Sequence, residues 1–267
     1  MAEPIPGSPR SCPPALVRYE AEGPVARLIL DSPSNRNALS TALVEQLHDG
    51  LTRASAQHGV RVVVLGHTGG TFCAGADLSE AAGRDPADLA VERAQDMTRL
   101  LRRLLELPLP VIAAIDGHVR AGGLGLVGAC DIAVAGGSST FALSEARIGV
   151  APSIISLTLL PKMTARAAGR YFLTGERFGV AAAAEMGLIT VAADDVPAAV
   201  TELTSAIALG SPQGLAESKA LTTAAILADF DRHAEKLTQQ SAALFVSDEA
   251  REGMLAFLEK RRPNWVS

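Results

Sequence analysis

Two glycine-rich loops carry the residues whose types and spacing point to chemistry. The first covers residues 66–78 and reads GHTGGTFCAGADL, and the second covers residues 119–123 and reads VRAGG. Glycine permits a positive φ and lets another backbone or a ligand approach closely. When two loops each direct a backbone N–H at one oxygen, they form an oxyanion hole, which stabilises developing negative charge better than mobile water does. The two loops therefore predict a site for a reaction that passes through an oxyanion.

The second loop runs into a Gly-x-Gly-x-x-Gly pattern over residues 123–128, with Glu145 at about the position of a ribose-binding acid. A dinucleotide fold needs these glycines directly after a strand, and a full helix before the next strand. Here seven residues separate Ile115 from Gly123, and the next apolar strand begins at Asp131. Because the intervening helix would have barely two turns, we interpret the pattern as a coincidence and expect no nucleotide cofactor.

Strands and helices alternate around these loops. Residues 60–65 are a β-branched run of the kind found in a strand buried on both faces, and residues 111–115 are a short apolar strand. Residues 16–30 alternate apolar and polar around a Gly-Pro turn, which predicts a hairpin. Ser40 is a predicted N-cap before a helix, and a second helix is expected to begin near Pro86. The order strand, glycine loop, helix occurs at least twice, which favours an α/β layered domain or a β-β-α spiral.

The pattern divides the chain into three parts. Residues 1–14 are rich in proline and lack the apolar stretch of a signal peptide, so we expect a flexible tail. Residues 15–195 contain the predicted α/β core. Residues 196–267 are helical in pattern, and the boundary is expected near Asp194 and Asp195. A length of 267 residues suits one large core with an extension.

Composition and charge exclude several classes of partner. The net charge of −5 provides no basic field for a phosphate backbone, so we expect no nucleic-acid partner. No apolar run approaches the roughly 18 residues of a membrane-spanning helix, so no membrane partner is expected. Cys12, Cys73 and Cys130 have neither paired nor metal-ligand spacing, which favours a reducing cytoplasm and no metal site.

Five segments carry a resemblance to a known family. They are residues 35–39 (NRNAL), 72–78 (FCAGADL), 121–134 (AGGLGLVGACDIAV), 143–152 (LSEARIGVAP) and 173–176 (LTGE). In this order and spacing the chain resembles the enoyl-CoA hydratase/isomerase superfamily, also called the crotonase family. The resemblance implies a β-β-α spiral core, a C-terminal helical trimerisation segment and a homotrimer or dimer of trimers. It also implies acyl-CoA thioester substrates, with coenzyme A as part of the substrate and no separate cofactor.

The resemblance also assigns roles to positions of this chain. The N–H groups of Ala76 and Gly122 would hold the thioester oxygen, and Glu145 would donate and accept protons. The other positions expected to line the substrate are Ala74, Asp77, Leu78, Ser79, Gly123 and Gly125. Without the surrounding motif, Glu145 would be interpreted as a solvated loop acid, the usual fate of a glutamate.

His118 and Arg120 lie just before Gly122, the predicted oxyanion glycine, and are not residues that the family pattern demands. One interpretation is that His118 caps a loop and Arg120 is solvated. The alternative is that they reach the acyl pocket, where Arg120 would pair a distal carboxylate of a methylglutaconyl-type thioester through charge-assisted hydrogen bonds.

Gly125 marks a departure from the family's hydratases, which use two glutamates that flank a water. The later glutamate matches Glu145, whereas the earlier one matches Gly125. Gly125 is expected either to serve helix packing or to leave room for a bulky acyl chain. Hydration of a 2-enoyl thioester is our leading hypothesis, and Δ3,Δ2-isomerisation needs only one carboxylate to move a proton. A methylglutaconyl-CoA-type hydratase and a catalytically silent acyl-CoA-binding subunit remain as alternatives.

Overall fold

Ten strands and nine α-helices make up the part of the chain that the computed structural model describes, residues 15–77 and 85–266. The strands are β1 (Val17–Glu22), β2 (Val25–Leu30), β3 (Val62–His67), β4 (Thr71–Cys73), β5 (Val111–Ile115), β6 (His118–Arg120), β7 (Ile132–Gly136), β8 (Thr140–Ala142), β9 (Phe178–Gly179) and β10 (Val191–Ala193). The helices are α1 (Thr41–Ala56), α2 (Pro86–Glu106), α3 (Gly122–Ala129), α4 (Ser156–Leu159), α5 (Ala165–Thr174), α6 (Val180–Glu185), α7 (Val196–Ala208), α8 (Pro212–Phe245) and α9 (Asp248–Leu258). One-turn 3₁₀ helices cover Pro33–Asn35 and Glu145–Ile148.

The strands form two sheets. The larger has the order β1-β2-β3-β5-β7-β10, and all its neighbours are parallel except β1 and β2. The smaller has the order β4-β6-β8-β9. Three times along the chain, a strand of the larger sheet is followed by a strand of the smaller sheet and then by a helix. This repetition is a β-β-α spiral, so the predicted fold class is confirmed, with helices at the C-terminal end.

Several local predictions are confirmed in detail. Strands β1 and β2 form the expected hairpin, and Gly23 at its turn has a φ of 53°. The Ser40 side chain caps α1 by accepting a hydrogen bond from the Leu43 N–H, at 3.2 Å. Helix α2 begins at Pro86, where the missing N–H costs nothing because the first turn has no intrahelical acceptor.

The two faces of the larger sheet pack against different helices. Helices α1, α2 and α3 contribute buried side chains to the main hydrophobic core on one face. Helix α7 covers β3, β5, β7 and β10 on the other face, where Val196 and Val200 pack against Val62, Val64 and Ile112. Covering both faces is what an essentially parallel sheet requires.

Helix α8 lies along α2 and joins the C-terminal helices to the core. The buried Lys219 ammonium donates to the carbonyls of Leu104, at 2.7 Å, and Leu109, at 3.0 Å. It also pairs with Asp131 at 2.8 Å, and burial lowers the pKa of Lys219 against the effect of that carboxylate. Within the described ranges, no helix is both long and apolar enough to span a membrane.

Two features differ from the sequence prediction. The last strand, expected at residues 188–191, lies at Val191–Ala193. Strands β4, β6 and β8 of the smaller sheet are not predicted from the sequence. Each has only three residues, which is too short for an alternation of apolar and polar side chains to be recognised. The predicted tail, residues 1–14, lies outside the described residues.

Candidate active site

The two glycine-rich loops meet in the structure. A Cβ atom placed on Gly75 would lie 2.9 Å from the Ala121 Cβ and 3.3 Å from the Gly122 nitrogen. The two backbones therefore approach more closely than any side chain on residue 75 would allow. Gly75 also has a φ of 90°, which a residue with a Cβ rarely adopts. The convergence of the loops that the sequence predicted is thus a feature of the fold.

A short parallel pairing with residues 36–39 fixes the first loop. The Ala74 N–H donates to the Arg36 carbonyl at 3.1 Å, the Leu39 N–H to the Gly75 carbonyl at 2.7 Å, and the Asp77 N–H to the Leu39 carbonyl at 3.3 Å. In a parallel bridge these bonds flank Ala76 and leave its own N–H on the opposite side. Ala76 is an exposed residue.

Helix α3 carries Gly122, the second predicted donor. Gly122 is its first residue, and its N–H belongs to the first turn, where backbone donors have no intrahelical acceptor. The preceding residue, Ala121, has φ 45° and ψ −123°, a sparsely populated conformation for a residue with a Cβ. Its N–H donates to the Ala142 carbonyl at 3.1 Å, which holds this turn against β8. With Ala121 in this strained conformation, the chain turns sharply into α3.

The glycines inside α3 serve packing. A Cβ on Gly123 would lie 2.8 Å from the Cys73 Cβ, so only glycine lets α3 approach β4. A Cβ on Gly125 would lie 2.4 Å from the Ile155 Cγ2 and 2.9 Å from the Met97 Cε. Two apolar side chains thus occupy the position that the Cβ of a glutamate at residue 125 would need. Of the two expectations for Gly125, the packing role has the support of these contacts.

Glu145 begins the 3₁₀ helix that follows β8 and is 7% exposed. Its Oε2 atom is buried and finds no hydrogen-bond donor in the described structure. Burial raises the pKa of Glu145 to about 7, while its own backbone N–H acts in the opposite direction. A carboxyl group with this pKa exchanges protons readily at neutral pH, as a general acid or base must. Glu145 is therefore not the solvated acid of the simpler interpretation.

His118 and Arg120 lie on the same face of β6 and both bond to Thr140. His118 Nδ1 is 3.0 Å from the Thr140 hydroxyl. The Arg120 guanidinium donates to the carbonyls of Thr140, at 2.6 Å, and Val119, at 2.8 Å, and to the Thr140 hydroxyl at 2.8 Å. Burial, followed by the charge of Arg177, lowers the pKa of Arg120. Arg120 is therefore half-buried and bonded to protein, in contrast to the solvated arginine of one interpretation.

The remaining predicted substrate positions lie in or beside the first loop. Ala74 lies next to Gly75, and Asp77 is buried with its carboxylate accepting a hydrogen bond from the Asn35 amide at 2.9 Å. Leu78 and Ser79 lie outside the described residues. No group of three or more His, Cys, Asp or Glu residues in the described ranges is arranged to hold a metal ion.

Two residues contribute to the site that are not among the predicted site residues. Asn37, fully buried, accepts from the Ser32 N–H at 2.7 Å and donates to the carbonyls of Thr68, at 3.0 Å, and Thr71, at 2.8 Å, which fixes the start of the first loop. Its φ of 53° is one that asparagine tolerates. Met97 has the helical spacing of an ordinary core residue. Its Cε lies 3.7 Å from where a Cβ of Gly122 would be, so it borders the oxyanion donor.

The fold is a β-β-α spiral in which the two glycine-rich loops meet and Glu145 is buried. Residues 20–267 match the family model described as enoyl-CoA hydratase/isomerase. The chain belongs to the enoyl-CoA hydratase/isomerase family.

Individual relatives agree with this assignment. The chain is 34% identical to the enoyl-CoA hydratase EchA19 of Mycobacterium tuberculosis over 268 residues, which cover 96% of this chain and 97% of that one. It is 32% identical to a probable enoyl-CoA hydratase of Bacillus subtilis, over 90% of this chain and 95% of that one. A crystal structure of a putative enoyl-CoA hydratase from Mycobacterium avium paratuberculosis is similar with a TM-score of 0.91 at 69% identity, over 95% of this chain and 100% of that one.

Proposed function

We propose that the protein hydrates 2-enoyl-CoA thioesters to 3-hydroxyacyl-CoA, with Glu145 as the acid–base group. The observation that carries the proposal is the carboxyl of Glu145, which is buried, has a pKa raised to about 7 and has no protein donor on Oε2 within the described residues. The chain brings this group near the converging loops because the Ala121 N–H bonds to Ala142, three residues before Glu145. A buried acid beside an oxyanion hole is suited to forming and quenching an enolate.

The proposed reaction needs two proton movements. The ionised Glu145 carboxylate accepts a proton from a water molecule as the water oxygen bonds to C3. The electron pair of the C2–C3 double bond moves into the thioester, and the N–H groups of Ala76 and Gly122 hold the resulting oxyanion. The protonated Glu145 then donates that proton to C2, which completes the addition of water. Because one carboxyl performs both steps, its pKa must lie close to the working pH.

Δ3,Δ2-Enoyl-CoA isomerisation is the second candidate, and the packing at Gly125 favours it. Ile155 and Met97 lie where the Cβ of any larger residue at position 125, such as a second glutamate, would have to stand. In isomerisation, Glu145 takes a proton from C2 of a 3-enoyl thioester and returns it to C4, while the same two N–H groups hold the dienolate. No water takes part, so the apolar wall is no obstacle.

Two further hypotheses concern Arg120 and the absence of turnover. A methylglutaconyl-CoA-type hydratase would use the Arg120 guanidinium to bind a distal carboxylate, for which Arg120 would have to exchange its bonds to Thr140. Replacing Arg120 with alanine tests this: a loss confined to dicarboxylic thioesters supports the role, whereas equal losses on plain thioesters exclude it. A silent acyl-CoA-binding subunit would bind thioesters without turnover.

We also propose that the protein assembles as a homotrimer or a dimer of trimers and acts in the cytoplasm. Exposed apolar side chains near the C-terminal end support self-association: Leu255, Phe257, Leu258 and Trp265 are 43–66% exposed. Cys73 and Cys130 are buried free thiols, and burial raises the pKa of each to about 12, which makes both unreactive. The molar mass in solution, measured by light scattering, tests the assembly.

The experiment that tests the function is a substrate panel with product identification. Short, long, branched and dicarboxylic 2-enoyl-CoA and 3-enoyl-CoA esters are incubated with the protein, and products are identified by mass spectrometry. Formation of 3-hydroxyacyl-CoA from 2-enoyl-CoA supports hydration. Conversion of 3-enoyl to 2-enoyl esters without hydration supports isomerisation. Binding without turnover of any ester overturns both and supports the silent subunit.

A further inference from the structure

Helix α9 lies directly against the 3₁₀ helix that begins with Glu145. A Cβ on Gly253 of α9 would lie 2.5 Å from the carbonyl carbon and oxygen of Ile148. Gly149, which follows the 3₁₀ helix and has a φ of 78°, makes a second close contact with α9. A Cβ on Gly149 would lie 2.5 Å from the Glu249 carbonyl carbon. Both contacts are backbone against backbone, so neither can be relieved by turning a flexible side chain. The two helices are in contact as closely as glycine permits.

Hydrogen bonds connect this contact to Glu145. The backbone carbonyl of Glu145 accepts from the Gly149 N–H and from the Val150 N–H, the latter at 3.1 Å. Ile148 and Gly149, the residues that touch α9, thus belong to the same hydrogen-bonded turn as Glu145. A displacement of α9 relative to this turn must be transmitted to the backbone of Glu145.

Local hydrogen bonds stabilise helix α9 at both of its ends. The Ser247 side chain caps its first turn by accepting from the Ala250 N–H at 3.2 Å. Beyond its last turn, Arg261 donates to both carboxylate oxygens of Glu252, at 2.6 and 2.9 Å. The side that faces inward carries Ala250, Gly253 and Ala256, all buried. This spacing of three places small residues along one line of the helix.

We infer that α9 is a positioning element for Glu145 and that Gly253 is its essential contact residue. Gly253 does not touch the reacting atoms; it sets where the Glu145 carboxyl stands relative to the oxyanion donors. The kinetic consequence rests on the proposed function, whereas the structural consequence, the burial of Glu145, does not. A larger residue at position 253 forces α9 and the 3₁₀ helix to shift relative to each other.

The charged groups on the surrounding elements do not account for the properties of Glu145. Arg147 donates to the Thr174 carbonyl at 2.7 Å. Burial raises the pKa of Glu145, and its own backbone N–H acts in the opposite direction. Besides Glu145, the charged residues on the 3₁₀ helix, on α5 and on α9 are Arg147, Arg166, Arg170, Asp248, Glu249, Arg251 and Glu252. The titration of Glu145 therefore reports how well its carboxyl is shielded from water.

The test is the full-length Gly253→Ala variant, with Gly169→Ala as its matched control. Gly169 is an exposed glycine in α5 with open space around its Cβ position, so the same change there adds no contact. We expect kcat on an enoyl-CoA ester to fall roughly 10- to 100-fold in Gly253→Ala, as for a misplacement of about 1 Å. Affinity for the saturated ester butyryl-CoA should stay within about two-fold, because the oxyanion donors lie on other elements. The control should match the wild type in both measurements.

A second readout needs no turnover. The carboxyl of Glu145, assigned by comparison with Glu145→Gln, is titrated by ¹³C NMR, and its midpoint should fall in Gly253→Ala because the carboxyl gains water. If the panel finds no enzyme activity, this shift still tests the positioning role. An unchanged midpoint with an unchanged kcat overturns the inference. Should Gly253→Ala fail to fold, Ala250→Gly removes a buried methyl group from the same inward face of α9 and should shift both measurements in the same direction. No shift in that variant overturns the inference.

Discussion

Replacing Glu145 with glutamine is expected to make the protein more stable at high pH while it removes activity. In the wild type the ordinary pKa of 4.5 is raised to about 7 by burial. Between these two values the folded state binds more protons than the unfolded state, so the free energy of unfolding falls as the pH rises. Glutamine has nearly the same shape and no charge, so it removes this penalty.

The size of the effect follows from the shift. One pKa unit corresponds to about 1.4 kcal/mol, so a shift from 4.5 to about 7 corresponds to about 3 kcal/mol. Glu145 is 7% exposed, so solvent screening reduces this figure little. Near pH 4 the two proteins should be about equally stable. Above pH 8 the variant should be the more stable by up to about 3 kcal/mol.

The assay is urea unfolding of both proteins at a series of pH values and one protein concentration. Other titrating groups are common to both proteins and cancel in the difference between them. Glu202→Gln, an exposed position on α7, serves as the control and should show no such pH-dependent gain. A difference between wild type and Glu145→Gln that is constant with pH, or that favours the wild type at high pH, would refute the reasoning.

Three further substitutions test the packing around the site. Gly125→Glu should lower the free energy of unfolding by at least about 1–3 kcal/mol because its Cβ meets Ile155 and Met97. The substitution should raise hydration of crotonyl-CoA only when it is combined with Ile155→Ala. A gain in the single variant would contradict the packing argument. Ala121→Gly should raise stability in urea unfolding by about 1 kcal/mol by relieving the positive φ, and a loss would mean that the conformation is not strained. Asn37→Ala should lower the free energy of unfolding by about 3 kcal/mol because three backbone groups lose their hydrogen-bond partner. A loss of stability smaller than that of an ordinary surface substitution would show that water replaces the amide.

The sequence predicted the elements whose residues repeat with a clear period. Ser40 and Pro86 mark helix starts through local hydrogen bonding and a fixed φ, and both act within one turn of the chain. The meeting of the two loops was predicted as well, because glycines such as Gly75 and Gly122 allow two backbones to approach closely. These are properties of short segments.

What the sequence could not provide depends on contacts between distant segments. The space at Gly125 is filled by Ile155 and Met97, and nothing in the local pattern pairs these three positions. The burial of Glu145 is likewise a property of the assembled fold. The same holds for the contact of Gly253 with Ile148, which joins residues 105 positions apart in the numbering of the chain.

The most direct test of the central claim is the exchange of the C2 proton of butyryl-CoA in D₂O. A saturated thioester can be neither hydrated nor isomerised, so exchange reports only the formation of an enolate by Glu145 in the oxyanion hole. We predict that the wild type incorporates deuterium at C2, as followed by mass spectrometry, and that Glu145→Gln is slower by about 100-fold or more. Equal exchange rates in the two proteins, with butyryl-CoA bound by both, would contradict the role of Glu145.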